Sequence, residues 1–173
     1  FTQTELDTIL ANNYQDLFAS ISPEVSTSET LTNDDTEEST TITGVTSGYF
    51  DTRNKTVALG RKFTTAELEN AEKVVIIGND TAETFFDTAQ NALDKKIKIG
   101  TVSYQIIGVL KASGSSSSSS ADSLALLPLK TVQQQLTGTN VYSTLAFSLR
   151  NADDLEKAKS VIGYTLLDLH DLE

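Results

Sequence analysis

The segment Lys96–Leu110, KIKIGTVSYQIIGVL, constrains the fold more than any other. Two alternating runs, Lys96–Ile99 and Val102–Leu110, are joined at Gly100-Thr101. Alternation has the period of a strand with one buried face, and a short glycine-bearing gap suits a tight turn. A β-hairpin is predicted here. Shorter strand signals surround it. Val25–Leu31 and the β-branched Thr40–Val45 flank the polar, acidic stretch Asn33–Glu38, which reads as a turn. Lys73–Ile77 (KVVII) is a short apolar run ending at Gly78, as a buried strand would be. Leu124–Leu127 stops at Pro128, and Thr144–Leu149 alternates with Leu145, Phe147 and Leu149 on one face.

Helix starts are interleaved with these strands. Thr2 and Glu5 have capping-box spacing, and Leu6, Ile9, Leu10 and Leu17 follow at near-helical intervals. Proline disfavours helix in the residue before it, so this region is expected to end at Pro23. Thr64 with Glu67 suggests a second capping box, and Asp80 with Glu83 a capped helix carrying Phe85 and Phe86. A short helix is expected over Thr131–Leu136. Asn151 should cap a final helix in which Leu155, Ala158, Ile162, Thr165, Leu166 and Leu169 follow the 3.6-residue period. Gly44–Phe50 and Leu59-Gly60-Arg61 read as connections. Ser113–Ala121, with Gly114 and six consecutive serines, has nothing to bury and reads as a flexible loop. Strands and helices mixed irregularly around a hairpin point to the α+β class.

Composition narrows the function. Lys and Arg number 13 against 24 Asp and Glu, giving a net charge of −11. Nucleic-acid binding draws most of its affinity from cations on phosphates, so it is excluded as a reading, and anionic lipid headgroups are repelled likewise. There is no cysteine, hence no disulfide, thiolate metal site or cysteine nucleophile. Methionine is absent even at the start, so the chain reads as an internal segment of something longer. No apolar stretch approaches the ~20 residues needed to span a bilayer.

Motifs for chemistry are sparse. His170 is the single histidine, so any Ser–His–Asp arrangement would have to use it. It lies near the end of the final helix, where the dipole favours it, and no Gly-x-Ser-x-Gly phrase accompanies it. Asp34, Asp35, Glu37 and Glu38 lack the spacing and central glycine of a calcium loop and read as a solvated hairpin tip. Ile77-Gly78-Asn79-Asp80 joins strand to helix, where phosphate loops sit. One glycine followed by an aspartate suits an ordinary capped turn instead. No catalytic, cofactor-binding or metal-binding residue is assigned, and no cofactor is expected.

Five phrases, in order, resemble the MacB-like periplasmic core domain of ABC transporter permeases. They are GVTSGYF (Gly44–Phe50), LGRKFT (Leu59–Thr64), KVVIIGNDTAETFF (Lys73–Phe86), KKIKIGTVSYQIIGVLK (Lys95–Lys111) and LLPLKTVQQQL (Leu126–Leu136). Leu93-Asp94-Lys95 departs from the family's pattern, which has a glycine nearby. The resemblance implies two α+β subdomains. A porter-like βαβ subdomain would comprise residues 1–48 and 128–173, and an inserted mixed α/β subdomain residues 49–127. It further implies a non-enzymatic extracytoplasmic domain that couples transmembrane motion to substrate export and adaptor-protein binding. Its partners would be a membrane-fusion or adaptor protein, a separate ABC ATPase subunit and a second permease copy. Spanning helices outside this chain would hold it to the extracytoplasmic face of a bacterial membrane, extracellular in a Gram-positive cell and periplasmic in a Gram-negative one. The alternative reading is the same architecture in a lipoprotein-releasing or FtsX-type permease acting on a lipoprotein or cell-wall hydrolase. A small hydrolase is the competing reading from another class.

Overall fold

The computed structural model describes residues 1–11, 15–113 and 122–169. His170, Glu173 and the serine run Ser115–Ser120 lie outside the described residues. The strands are β1 (Phe18–Asn33), β2 (Thr36–Val45), β3 (Val57–Gly60), β4 (Val74–Ile77), β5 (Lys96–Ile99), β6 (Val102–Leu110), β7 (Leu124–Pro128) and β8 (Thr144–Leu149). The helices are α1 (Gln3–Ala11), α2 (Tyr49–Thr52), α3 (Thr65–Glu69), α4 (Asn79–Phe86), α5 (Ala89–Ala92), α6 (Leu129–Val132) and α7 (Leu155–Leu169). This is the mixed α and β architecture that the sequence implied.

The predicted hairpin is β5–β6, with Gly100 in the left-handed region at φ 56°. Strand pairing runs β2-β7-β4-β6-β5-β1 and closes through β1–β2, while β3 adds to β6 and β8 to β1. Most pairs are antiparallel, but β2–β7 and β4–β6 are parallel. The two faces explain the sequence patterns. Val75, Ile77, Ile106, Ala125 and Leu127 enter one core with Leu31, Ile42, Ile97 and Ile99. Their neighbours Ile76, Ile107, Leu124 and Leu126 enter a second core with Tyr49 and Phe50 of α2. Strands buried on both faces read as unbroken apolar runs, which is why VVII and LALLP lack alternation.

The main correction concerns β1. The expected first helix ends at Ala11, Leu17 closes a short 3₁₀ turn, and a 16-residue strand begins at Phe18. Pro23 therefore does not end an element but lies inside one, opposite Leu145 of β8. The strand tolerates it because β1 pairs only β8 over residues 18–24, leaving one side unpaired, where a missing N–H breaks no ladder. From Val25 onward the same strand pairs β2, and at Leu31 and Thr32 also β5. Hydrogen bonding thus carries residues 25–45 into the sheet of β4–β7.

A register irregularity between Phe18 and Ser20 sorts the faces of the β1–β8 ribbon. Because of it Phe18, opposite Leu149, shares a face with Ile21 opposite Phe147. On that face Leu17, Phe18, Ala158 and Val161 form a third core, with Phe147, Leu149 and Ile162 against it. The Phe18 and Phe147 rings lie 4.8 Å apart. Leu155, the first of the periodic positions read in the final helix, is exposed and not on the buried face. Helix α7 starts after a 3₁₀ turn, Ala152–Asp154, and Asn151 donates to the Asp154 side chain rather than accepting from the helix backbone. Glycine, not Asp80, caps α4: Gly78 is its N-cap. The helix expected over Thr131–Leu136 starts earlier, at Leu129, and widens into a π turn over Gln133–Thr137.

The capping boxes at Thr2–Glu5 and Thr64–Glu67 both form. The second is extended by Arg61, whose guanidinium bonds both carboxylate oxygens of Glu67 at 2.8 and 2.7 Å. That hydrogen-bonded guanidinium, assisted by Thr64, holds Glu67 down at about 2. A carboxyl depressed in the folded state stabilises the fold above its unfolded value of ~4.3, and that stability is lost as pH falls toward the folded value. We therefore expect Arg61→Ala to destabilise most above about pH 5, with the difference from wild type shrinking between about pH 4.5 and 2. Urea unfolding at a series of pH values measures it. A pH-independent difference would show that the pair contributes by packing alone.

Candidate functional site: a cleft and a buried polar seam

Two features lie where the β1–β8 ribbon meets the rest of the molecule. The first is a polar seam. Ser20, Ser22 and Glu24 alternate along β1 and share the face opposite the third core, and α2 covers this face. Ser20 and Thr52 hydroxyls are 2.7 Å apart. Arg53, just after α2, donates twice to Glu24, Nε to Oε1 and Nη2 to Oε2, both at 2.9 Å. The Glu24 side chain is 7% exposed and that of Arg53 41%. Between these contacts the Ser22 hydroxyl is buried without a hydrogen-bond partner. Burial, with the Glu24 carboxylate nearby, pushes the Tyr49 phenol above its ordinary range.

Glycine sets the closeness of this contact. A Cβ on Gly48 would lie 2.2 Å from the carbonyl oxygen of Ile21, so only glycine lets the chain entering α2 lie against β1. Gly60 acts similarly in the second phrase. Its φ is 77°, and a Cβ there would meet the Ile107 carbonyl at 2.2 Å, the same carbonyl that accepts from the Arg61 N–H.

The second feature is a cleft of about 450 Å³. Pro23, Val45, Leu129 and Tyr142 form its floor, and all four are buried. One wall carries Gln3 of α1. The other carries Leu68 and Glu69 of α3, Lys130 of α6 and Gln133 of the π turn. Backbone bonds in both directions between Phe1 and Tyr142 tie the start of the chain to this cleft. The Tyr142 hydroxyl donates to Gln3 Oε1. Burial and the Asp7 carboxylate raise that phenol above its ordinary range. On the opposite wall α6 is fixed to α3 and the segment after it: Lys130 Nζ donates to the Glu69 carbonyl and Thr131 Oγ1 to that of Glu72.

Among the residues weighed for chemistry, Asp34 and Asp35 are exposed in the β1–β2 turn, and Glu37 and Glu38 are exposed at the start of β2. Asn79 uses its side chain on Glu83 in the first turn of α4. Neither the seam nor the cleft was anticipated from sequence. The seam left one readable trace, polar residues at 20, 22 and 24 alternating with Ile21, Pro23 and Val25. The cleft left none, because its walls come from distant segments.

The model of the MacB-like periplasmic core domain matches residues 1–163. This chain belongs to that family. It is 32% identical over 151 residues to the macrolide export ATP-binding/permease protein MacB of Bradyrhizobium diazoefficiens, covering 87% of the chain and 23% of that protein. The MacB of Rhodopseudomonas palustris is 35% identical over 121 residues, covering 69% and 18%. The chain thus spans less than a quarter of the length of these curated relatives. Among solved structures, the extracellular domain of the ABC-type transporter YknZ from Gram-positive bacteria superposes with a TM-score of 0.83 at 23% identity, covering 100% of this chain and 86% of that one. The periplasmic region of MacB from Actinobacillus actinomycetemcomitans gives 0.81 at 18% identity, covering 99% and 77%. These two likenesses establish the fold. Family membership makes the chain a non-catalytic, extracytoplasmic domain of an ABC-type permease, distinct from the part that hydrolyses ATP. No helix among the described residues is long and apolar enough to cross a membrane.

The ion pair gives a direct test of the seam. Removing the guanidinium strands a buried carboxylate. We expect Arg53→Ala to cost about 2 kcal/mol, below the ~3–5 of a fully buried pair because Arg53 is partly solvated. Adding Glu24→Gln should recover more than half of that loss. Urea denaturation of the single and double variants reads both numbers. A single-variant cost near ~0.5 kcal/mol would mean that water already satisfies Glu24.

Proposed function

We propose that this domain couples motion of a membrane-embedded permease to substrate export and to binding of an adaptor protein, in a permease dimer driven by a separate ABC ATPase. The observation that carries the reading is the packing of the two end helices. Helices α1 and α7 touch each other; α7 packs on the β1–β8 ribbon through the third core, and α1 is tied by Gln3, and by Phe1 before it, to Tyr142 just ahead of β8. Displacement entering near both chain ends would reach a single strand, β1. At 3.2–3.4 Å per residue β1 extends about 50 Å and transmits that displacement into the main sheet.

The two parts that move are the porter-like and inserted subdomains, residues 1–48 with 128–173 and residues 49–127. From Val25 onward β1 pairs with β2 and, at Leu31 and Thr32, with β5, so this one strand runs from the β1–β8 ribbon into the main sheet. The polar seam suits a surface that shifts. Hydroxyl and ion-pair contacts can be exchanged for water during a displacement, whereas an interdigitated apolar core resists one. The cleft would then open and close with the same motion. In this reading the domain stands on the extracytoplasmic face of the membrane, extracellular in a Gram-positive cell and periplasmic in a Gram-negative one.

The test is to lock the cleft in the full permease. This chain contains no cysteine, so once any cysteines elsewhere in the permease are replaced, Gln3→Cys with Lys130→Cys supplies a clean pair for a short bis-maleimide across the cleft. Cross-linking is expected to abolish export while ATP hydrolysis continues, and each single variant should export normally. Undiminished export by fully cross-linked protein would rule out cleft motion as the coupling step.

A further inference from the structure

We propose that the cleft binds a small amphipathic molecule, uncharged or zwitterionic, which lays an apolar body on Pro23, Leu129 and Tyr142 and turns its polar groups toward Gln3, Gln133 and Asn140. The size is right: about 450 Å³ lies within the roughly 300–1,000 Å³ of small-molecule sites. So is the distribution of chemistry. The floor is apolar apart from the Tyr142 hydroxyl, and the polar side chains lie around the rim, the arrangement that orients a ligand by a few hydrogen bonds while burying its body.

Charge selects among ligands. The cleft is lined by one carboxylate, Glu69, and one ammonium, Lys130, so it has no net local charge to favour an ion. Around it the chain carries a net charge of −11, which disfavours anions. A peptide added as a strand is a poor fit. Strand addition needs a run of free backbone donors; of the two strand residues on the floor, Pro23 has none, and Val45 is the last residue of β2 and already pairs with Pro128 of β7. The remaining floor comes from the end of β2, from α6 and from the loop before β8, not from one continuous edge.

The position of the site gives binding a consequence. One wall belongs to α1 and the other to α3 and α6. A molecule touching both joins the chain-end elements to the rest of the domain. This proposal stands on the geometry of the cleft and does not require the coupling reading. It is testable on the 173-residue chain alone, so its failure would leave the cross-linking test untouched.

The probe is N-phenyl-1-naphthylamine, an uncharged fluorescent amphiphile, titrated into the chain. We expect a saturable fluorescence increase, with amide shifts in ¹⁵N-labelled protein concentrated at Leu68, Leu129, Gln133 and Tyr142. Gln133→Trp, which fills the cleft, should weaken binding by about tenfold or more. Asn140→Trp provides a second block at an exposed position where folding is not at stake. Lys98→Trp, on an exposed position of β5, should leave binding unchanged. Thermal unfolding establishes that each variant is folded. Non-saturable binding, shifts centred elsewhere, or unaltered affinity in both folded cleft variants would each overturn the proposal.

Discussion

Strand β1 is the constraint on which the rest of the molecule depends. A single continuous backbone hydrogen-bonds to β8 over its first half and to β2 and β5 over its second. Two different environments must therefore be satisfied by one register. The irregularity at Ala19 makes this possible, since it keeps Phe18 on the apolar side with Ile21 and leaves Ser20, Ser22 and Glu24 on the other. A one-residue slip anywhere in β1 would exchange those faces, putting Glu24 into the third core and Phe147 opposite a polar neighbour. Pro23 has a related consequence. It blocks further pairing where β1 is unpaired on one side, and that side borders the cleft.

The contacts between the ribbon and the rest of the domain differ in kind from those inside each core. Within the main sheet, Ile76, Ile77, Leu126 and Leu127 are fully buried among apolar neighbours, and displacing them would open voids. At the seam the contact consists of a hydroxyl pair, one bidentate ion pair and the unpartnered Ser22 hydroxyl. An unmet buried hydroxyl costs ~1–3 kcal/mol, so the seam is less stable than an apolar contact of the same shape. The family's characteristic phrases fit this division. Gly48 brings α2 against β1, and Gly60 brings the β3 turn against β6. Both position backbone against backbone, which is a structural role and not a chemical one.

The sequence alone determined the local elements and the class. The β5–β6 hairpin, the capping boxes at Thr2 and Thr64, the doubly buried runs of β4 and β7 and the periodicity of α7 all depend on neighbouring residues, and each was legible. The family was legible too, from five phrases in order, two of which hold glycines, Gly48 and Gly60, that permit close backbone approach. What the sequence did not disclose was how β1 is shared. Leu17 fitted a helical period by coincidence, and Pro23 read as a terminator because its tolerance depends on a strand being absent from one side. The cleft and the Glu24–Arg53 pair were decided only by the tertiary structure. They join residues as far apart as Gln3 and Tyr142, or Glu24 and Arg53, and no local pattern specifies which distant segments will be brought together.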